Sequence, residues 1–358
     1  MRIVLMLSFI TASILFGLYK GVSGKKPIWW QWFAIIWIAL AACLTLLPPL
    51  AGNFSTARMS ANFPGQEIIP VSFLLDKSTI SKNSDGNWEV EAKQIAHIFS
   101  KNLDTDRKYN LIWSGDESIL KNLTGGEIIA NISYYKENDS YNLSEILSED
   151  PLVIFPFIPA LDQRVRNLNF HVPMSWVATI AFFVSMIFSI KYLKNNQHEN
   201  DIKAYSSAFI GLIFAILATV TGMVWAKFNW GSFWNNDPRQ LTILAILIIY
   251  AAYLALRSAI DDEEKKAKIS AVYSIFSFAT VPFLAFIIPR QFASLHPGAK
   301  DDGTTGPVID AASGMLDSAL AVSYYMSLAG FIILFFWLLG IYSRYKLIEH
   351  KILEEENV

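Results

Sequence analysis

The chain has one cysteine, Cys43, among 358 residues, so it forms no internal disulfide and carries no CxxC redox pair. Charge is scarce too: 17% of residues are charged against 53% hydrophobic. Seven runs, 3–19, 28–50, 172–190, 204–226, 241–256, 269–289 and 319–343, contain no Asp, Glu, Lys or Arg. A bilayer core takes roughly 17–25 apolar residues per helix, so these absences exclude a soluble globular chain. They predict an all-α polytopic membrane protein of about seven transmembrane helices. The run 241–256 is marginal and borrows Gln240 and the aliphatic stem of Arg257. The first run follows Arg2 and resembles a signal peptide in length, but no small-residue cleavage site follows it, and it reads as a retained helix. Cys43 lies inside a run and reads as a small apolar residue.

The placement of Lys and Arg predicts orientation, because short basic loops stay cytoplasmic. Lys20, Lys25, Lys26, Lys191, Lys194, Lys203, Arg257, Lys265, Lys266, Lys268, Arg344, Lys346 and Lys351 fall on one side, against Lys227, Arg239, Arg290 and Lys300 in the short loops of the other. The amino terminus and residues 51–168 then face outward, and the carboxyl terminus faces the cytoplasm. Segment 51–168 holds 16 acidic and 11 basic residues and is long enough to fold as a small α+β extracytoplasmic domain between helices 2 and 3. EIIPVSFLL, KYNLIW and EIIANISYY read as strands, and EVEAKQIAHIFSKNL has helical spacing. The slight acidity of this segment argues against a nucleic-acid partner. The domains expected are 1–50, two membrane helices; 51–168, the outer domain; 169–345, a second membrane domain; and 346–358, a tail.

Histidine is also sparse, with five in the chain. His198 and His350 sit in charged cytoplasmic segments, and His97 lies in the outer segment without metal-site company. His171, in NFHVPMSW, opens a spanning run, and His296, in RQFASLHPG, follows another on the same outer side. Between them lies WGSFWNNDPRQ, residues 230–240, flanked by hydrophobic runs. Interfacial anchoring accounts for Trp225, Trp230, Phe233 and Trp234 as residue types. It does not require Gly231, Asp237, Pro238 and Arg239 beside them, whereas a shaped platform for a flat ligand does. Two neutral imidazoles are good axial ligands for haem iron, with Arg239, Arg290 or Lys227 available to pair with propionates. A lone histidine at a helix end is more often a cap or an interface residue, so chemistry alone leaves both readings open.

The runs FHVPMSW, TGMVWAKFNWGSFWNNDPRQLTILAILIIY and IIPRQFASLHPG, in that order with spanning helices between, resemble the CcmC family of cytochrome c maturation proteins, part of the tryptophan-rich-loop ("WWD") superfamily. The resemblance covers about residues 165–345. It implies a multi-pass protein of the bacterial inner membrane that binds haem b non-covalently. The implied iron ligands are His171 and His296, with Trp225, Trp230, Gly231, Trp234, Asp237, Pro238 and Arg239 contacting the haem. Implied partners are a CcmE-like haem chaperone, CcmA/CcmB-type transporter subunits, a CcmD-like small membrane protein and membrane lipid. The implied work is ligand exchange and positioning rather than enzymatic turnover, although the family is often called a haem lyase. Two departures stand out. The family pattern approximates WGxxWxWD, but Asn236 precedes Asp237 here; and this chain has an additional first helix and a much longer outer segment. That segment does not look like a fused chaperone, because His97 is followed by IFSKNL, without a Tyr in the HxxxY register.

The alternatives are a CcsA-type or CcmF-type haem attachment component, a quinone-coupled cytochrome b, and a secondary transporter. The first two call for histidines inside membrane spans, and the third for charged or broken helices at the midplane. A purely structural anchor for the outer domain would be an excessive use of seven helices. Phe182, Phe183, Phe335 and Phe336 read as packing or lipid-facing residues.

Overall fold

The computed structural model describes residues 2–62, 65, 67–95, 107–158, 161–296 and 318–356. The chain divides into two compact units, one from Met1–Ala42, Asn167–Met315 and Ser323–Val358, the other from Cys43–Arg166 and Leu316–Val322.

In the first unit α1 (Arg2–Gly17) and α2 (Ile28–Leu46) form a hairpin. The carbonyls at the carboxyl end of α1 are satisfied by Lys26, whose Nζ donates to Gly17 at 2.7 Å, to Gly21 at 3.2 Å and to Tyr19. A cation there also complements the negative end of the helix dipole. Trp30 of α2 donates its indole N–H to the Phe16 carbonyl at 3.0 Å. Among the described residues six helical segments are long and apolar enough to cross a membrane: Ile28–Leu46, Asp162–Asn195, His198–Trp230, Pro238–Ser258, Glu263–Arg290 and Leu320–Leu353. Helix α1, the expected seventh, has 16 residues, about 24 Å at 1.5 Å per residue, against a hydrocarbon core of about 30 Å.

The second unit is a β-structure. Short β1 (Leu50–Ala51) pairs in parallel with β7 (Phe155–Pro156). Between them lie α3 (Phe54–Ser60), β2 (Ile68–Lys82), β3 (Trp88–Lys93), β4 (Lys108–Trp113), α4 (Glu117–Asn122), β5 (Glu127–Tyr135) and β6 (Ser140–Glu149). Strands β2-β3-β4-β6-β5 close into a barrel, with β4 and β6 parallel and the other pairs antiparallel. This is the strand count and closure of an OB-type barrel. Alternating side chains fill it: Tyr109, Leu111 and Trp113 on β4 are buried while Lys108 and Asn110 are exposed. Phe54 of α3 is fully buried, stacked on Tyr109 with centroids 4.0 Å apart. The three runs expected as strands are β2, β4 and β5. The helix expected over 89–103 is corrected in its first part, where residues 89–93 belong to β3. Val90 and Ala92 are buried with a period of two and Glu91 is partly exposed between them, so strand alternation wins over a helical spacing of similar apolar content. The remainder from 96 onward, with His97, lies outside the described residues.

The membrane bundle resumes with α5 (Leu168–Asn195), α6 (His198–Trp230), α7 (Pro238–Ser258), α8 (Glu263–Pro282) and α9 (Ser318–Glu356). Pro173 lacks the N–H that would bond the carbonyl of Asn169 four residues earlier, and Ser327 of α9 donates its hydroxyl there instead. Helices α5 and α6 approach closely at two glycines, Gly211 facing Phe182 and Gly222 facing His171. At the far end of α6, Asp201 accepts both guanidinium arms of Arg257 of α7 at 2.7 Å. Phe182, Phe335 and Phe336 are buried and Phe183 is exposed.

Candidate functional site

Helix α6 ends because Gly231 takes a left-handed conformation, φ 84°, and returns its N–H to the Lys227 carbonyl at 3.1 Å. The loop that follows is held by its own polar groups. Ser232 Oγ donates to the Trp234 carbonyl at 2.9 Å, and Asn235 Nδ2 donates to the Ser232 carbonyl at 2.9 Å. Buried Gln240 reaches back from α7, accepting from Asn235 N at 2.8 Å and donating to the Phe233 carbonyl at 3.2 Å. Asn236 has φ 52°, the left-handed region in which Asn is enriched and bulky residues are strained. Its amide oxygen accepts the indole N–H of Trp234 at 2.9 Å, so the residue standing where the family pattern has Trp orients the neighbouring Trp. Asp237 then caps α7, its carboxylate accepting from Arg239 N at 2.9 Å, with Pro238 in the first turn.

The Asp237 carboxylate also gathers the loop after α8. That helix passes at Pro282 into a π turn, Phe283–Ile287, and a 3-10 turn, Ile288–Arg290. The chain beyond delivers Ser294, Leu295 and His296 to the carboxylate, from Ser294 Oγ at 2.7 Å, Leu295 N at 2.8 Å and His296 Nδ1 at 2.9 Å. Burial alone would raise the carboxyl pKa. The hydrogen bonds from His296, Ser294 and Arg239 outweigh that and hold it well below the usual carboxylate range. An ionised carboxylate only accepts, so Nδ1 of His296 carries a proton, and in the neutral imidazole the lone pair is then on Nε2. Trp230, the last residue of α6, sets its ring edgewise to this imidazole, centroids 4.7 Å apart.

His171 sits in the first turn of α5 and is supported from α6. Its Nδ1 lies 2.9 Å from the Ala218 carbonyl and 3.2 Å from Thr221 Oγ1. A carbonyl only accepts, so Nδ1 again carries a proton, and in the neutral imidazole the lone pair is on Nε2. The ring fits because position 222 is glycine: a Cβ there would lie 2.8 Å from His171 Cε1.

Of the residues singled out in the sequence, His296 touches both Asp237 and Trp230, and Trp234 is tied to Asn236. Gly231, Pro238 and Arg239 contribute to the turns that shape the loop, and Trp225 stands half-buried on α6 before Trp230. Sequence reasoning missed Gly222, Thr221, Ser294 and Gln240. A glycine within a helix beside the TGMVW run is a readable sign of close approach; the other three are ordinary polar residues whose partners only folding reveals.

The sequence profile of the family described as "Heme exporter protein C" (CcmC) matches residues 157–357, more than half of the chain. The chain belongs to this family. Among curated CcmC relatives, the heme exporter protein C of Paracoccus denitrificans is 24% identical over 180 residues, 50% of this chain and 72% of the relative. That of Bradyrhizobium diazoefficiens is 29% identical over 136 residues, 38% of this chain and 51% of the relative. That of Haemophilus influenzae is 29% identical over 170 residues, 48% of this chain and 63% of the relative. The CcmC match begins immediately after β7 and takes in α5 to α9, hence both histidines and the tryptophan-rich loop. The β-barrel and the α1–α2 hairpin lie outside it.

Proposed function

We propose that this protein binds haem b non-covalently between His171 and His296 and presents it at the outer membrane face to a CcmE-like chaperone, for assembly of c-type cytochromes. The observation that carries the reading is the matched state of the two imidazoles. Each spends its Nδ1 proton on an acceptor of its own, a backbone carbonyl for His171 and the Asp237 carboxylate for His296. In its neutral form each ring then offers Nε2 as a donor, which is how metal-binding histidines are oriented. The donor set suits haem iron, and Gly222 makes room for the His171 ring where any Cβ would crowd it.

Bound haem would supply an iron centre able to exchange axial nitrogen ligands. The rest of the work falls to this chain. His171 and His296 hold; Trp225, Trp230 and Trp234 offer aromatic surface; Asp237 with Gly231 and Pro238 fixes the loop; and Arg239, Lys227 and Arg290 supply positive charge for propionates. Membership of the CcmC family supports the same reading, as do relatives named for haem export. In this reading the protein is a multi-pass protein of the bacterial inner membrane. Its amino terminus and residues 51–168 lie outside, segment 169–345 is the haem-handling part, and the tail is cytoplasmic. CcmA/CcmB-type subunits and a CcmD-like protein are its companions, and delivery by ligand exchange is its task.

The test is a visible spectrum with a pyridine-haem assay on the detergent-purified protein beside His171→Ala and His296→Ala. Six-coordinate haem bands, lost in both variants and restored in part by added imidazole, support the site. A wild-type protein that stays colourless after haem is supplied, or two variants with normal haem, refutes it.

A further inference from the structure

The outer nitrogens of the two histidines meet acceptors of different charge. His171 Nδ1 faces a neutral carbonyl and a hydroxyl, whereas His296 Nδ1 faces a carboxylate that is itself buried. That carboxylate is pinned by Ser294 Oγ, Leu295 N and Arg239 N, so it cannot swing away from the ring. A hydrogen bond to an ionised acceptor is roughly twice as strong as a neutral one, and a carboxylate behind an imidazole raises its basicity as a ligand. We propose that Asp237 is a positioning residue that makes His296 the stronger of the two iron donors, leaving His171 as the ligand that yields first to an incoming nitrogen base. This rests on the reading of His171 and His296 as haem ligands.

The inequality has a direction that a scaffolding role for Asp237 does not predict. Negative charge behind His296 favours ferric over ferrous iron, because the more highly charged ion gains more from it. Removing the charge while keeping an acceptor therefore weakens ferric binding selectively and raises the haem midpoint potential. Outer partners of metal-binding histidines are worth about 10–100-fold in affinity. A tenfold loss confined to the ferric state is about 59 mV for a one-electron couple.

The experiment uses the full-length protein in detergent, loaded with haem, as wild type and as Asp237→Asn, Ser294→Ala, His171→Ala and His296→Ala. Asn also caps helices well and its amide oxygen still accepts from His296 Nδ1, but its Nδ2 cannot accept from Leu295 N as the second carboxylate oxygen does, so thermal unfolding of Asp237→Asn is read beside the potential. Ser294→Ala removes one hydroxyl donor to the carboxylate, and the acceptor of His296 N, while keeping the charge. The readouts are ferric and ferrous haem affinity, midpoint potential and the rate at which cyanide enters the ferric form. The expected result is a raised potential and a tenfold or greater ferric-selective loss in Asp237→Asn, whereas any loss in Ser294→Ala falls equally on ferric and ferrous binding and leaves the potential unmoved. His296→Ala should also lose at least tenfold more ferric affinity than His171→Ala.

If both His→Ala variants lose the six-coordinate spectrum while Asp237→Asn keeps wild-type potential and ferric affinity within twofold, the inference is overturned and the ligand assignment survives. If neither His→Ala variant alters the spectrum, the ligand assignment itself has failed. Should Asp237→Asn not fold, the comparison of His171→Ala with His296→Ala decides: equal or reversed losses overturn the inequality.

Discussion

Replacing Gly222 with Ala probes the His171 side of the site with a single methyl group. A Cβ at this position would lie 2.8 Å from Cε1, 3.3 Å from Nδ1 and 3.6 Å from Nε2 of the imidazole. Ordinary carbon contact begins near 3.4 Å, so the ring must retreat by about 0.6 Å or the helices must part. The ring has little freedom to retreat, because Nδ1 is bonded to Ala218 at 2.9 Å. Overpacking of this kind costs about 1–3 kcal/mol, and Ala in a helix interior returns about 0.5–1 kcal/mol relative to Gly. Net destabilisation therefore falls between about zero and 2.5 kcal/mol. The ligand is the more sensitive party, since binding constellations tolerate displacements of only about 0.5 Å, and a haem affinity lowered tenfold or more is expected. The control is Gly211→Ala, whose Cβ would meet Phe182 at 2.8 Å and Ala181 at 2.9 Å on the same helix pair, at a different level from His171. It should lower thermal stability without lowering haem affinity. The assays are thermal unfolding in detergent and haem titration followed by absorbance. The reasoning is refuted if Gly222→Ala binds haem like wild type, or if both glycine variants lose haem in proportion to lost stability.

Arg257→Ala leaves the Asp201 carboxylate buried without its bidentate partner and should cost about 3–5 kcal/mol. The double change Asp201→Leu with Arg257→Met should recover much of that in the same unfolding assay, and a loss under about 1 kcal/mol in the single variant would contradict burial of the pair. Phe54→Ala empties a fully buried aromatic site in the barrel and should cost about 3–5 kcal/mol; faster proteolytic cleavage within residues 50–157 of the full-length protein, with the haem spectrum unchanged, is the expected result. Asn236→Trp restores the family pattern but places a bulky residue at φ 52°, a conformation costing about 1–2 kcal/mol outside Gly, Asn and Asp, and removes the acceptor of the Trp234 indole. Lower stability and weaker haem binding should follow, and tighter binding at unchanged stability would show that Asn236 is a plain loss of aromatic contact.

Composition made the membrane bundle legible, because seven charge-free runs leave few other folds open. It did not fix the number of spanning helices, since α1 falls short of the length that apolarity alone suggested. In the barrel, KYNLIW alternates cleanly and becomes β4. EVEAK carries Val90 and Ala92 in a pattern that serves a strand or the start of a helix, and only pairing with β2 and β4 settles it. The β2 partner is a hairpin neighbour, but Trp88 also pairs with Trp113 of β4, a contact that a local reading does not contain.

The tryptophan-rich loop shows a different limit. Gly, Asp and Pro at fixed positions signalled a shaped platform, and the loop is shaped, but each of these residues has a local reason for its place. Gly231 terminates α6 with a positive φ, Pro238 opens α7, and Asp237 caps it. Those backbone duties alone would leave the far side of the Asp237 carboxylate to water. Instead it is buried and receives Ser294, Leu295 and His296 from a loop nearly sixty residues away. Capping α7 needs only one of those bonds' worth of acceptor, and Ser or Asn would cap it as well as Asp. What Asp adds is a full negative charge, and that charge is spent on the imidazole of His296. The residue type that the sequence marks is thus explained by the histidine it holds rather than by the turn it starts.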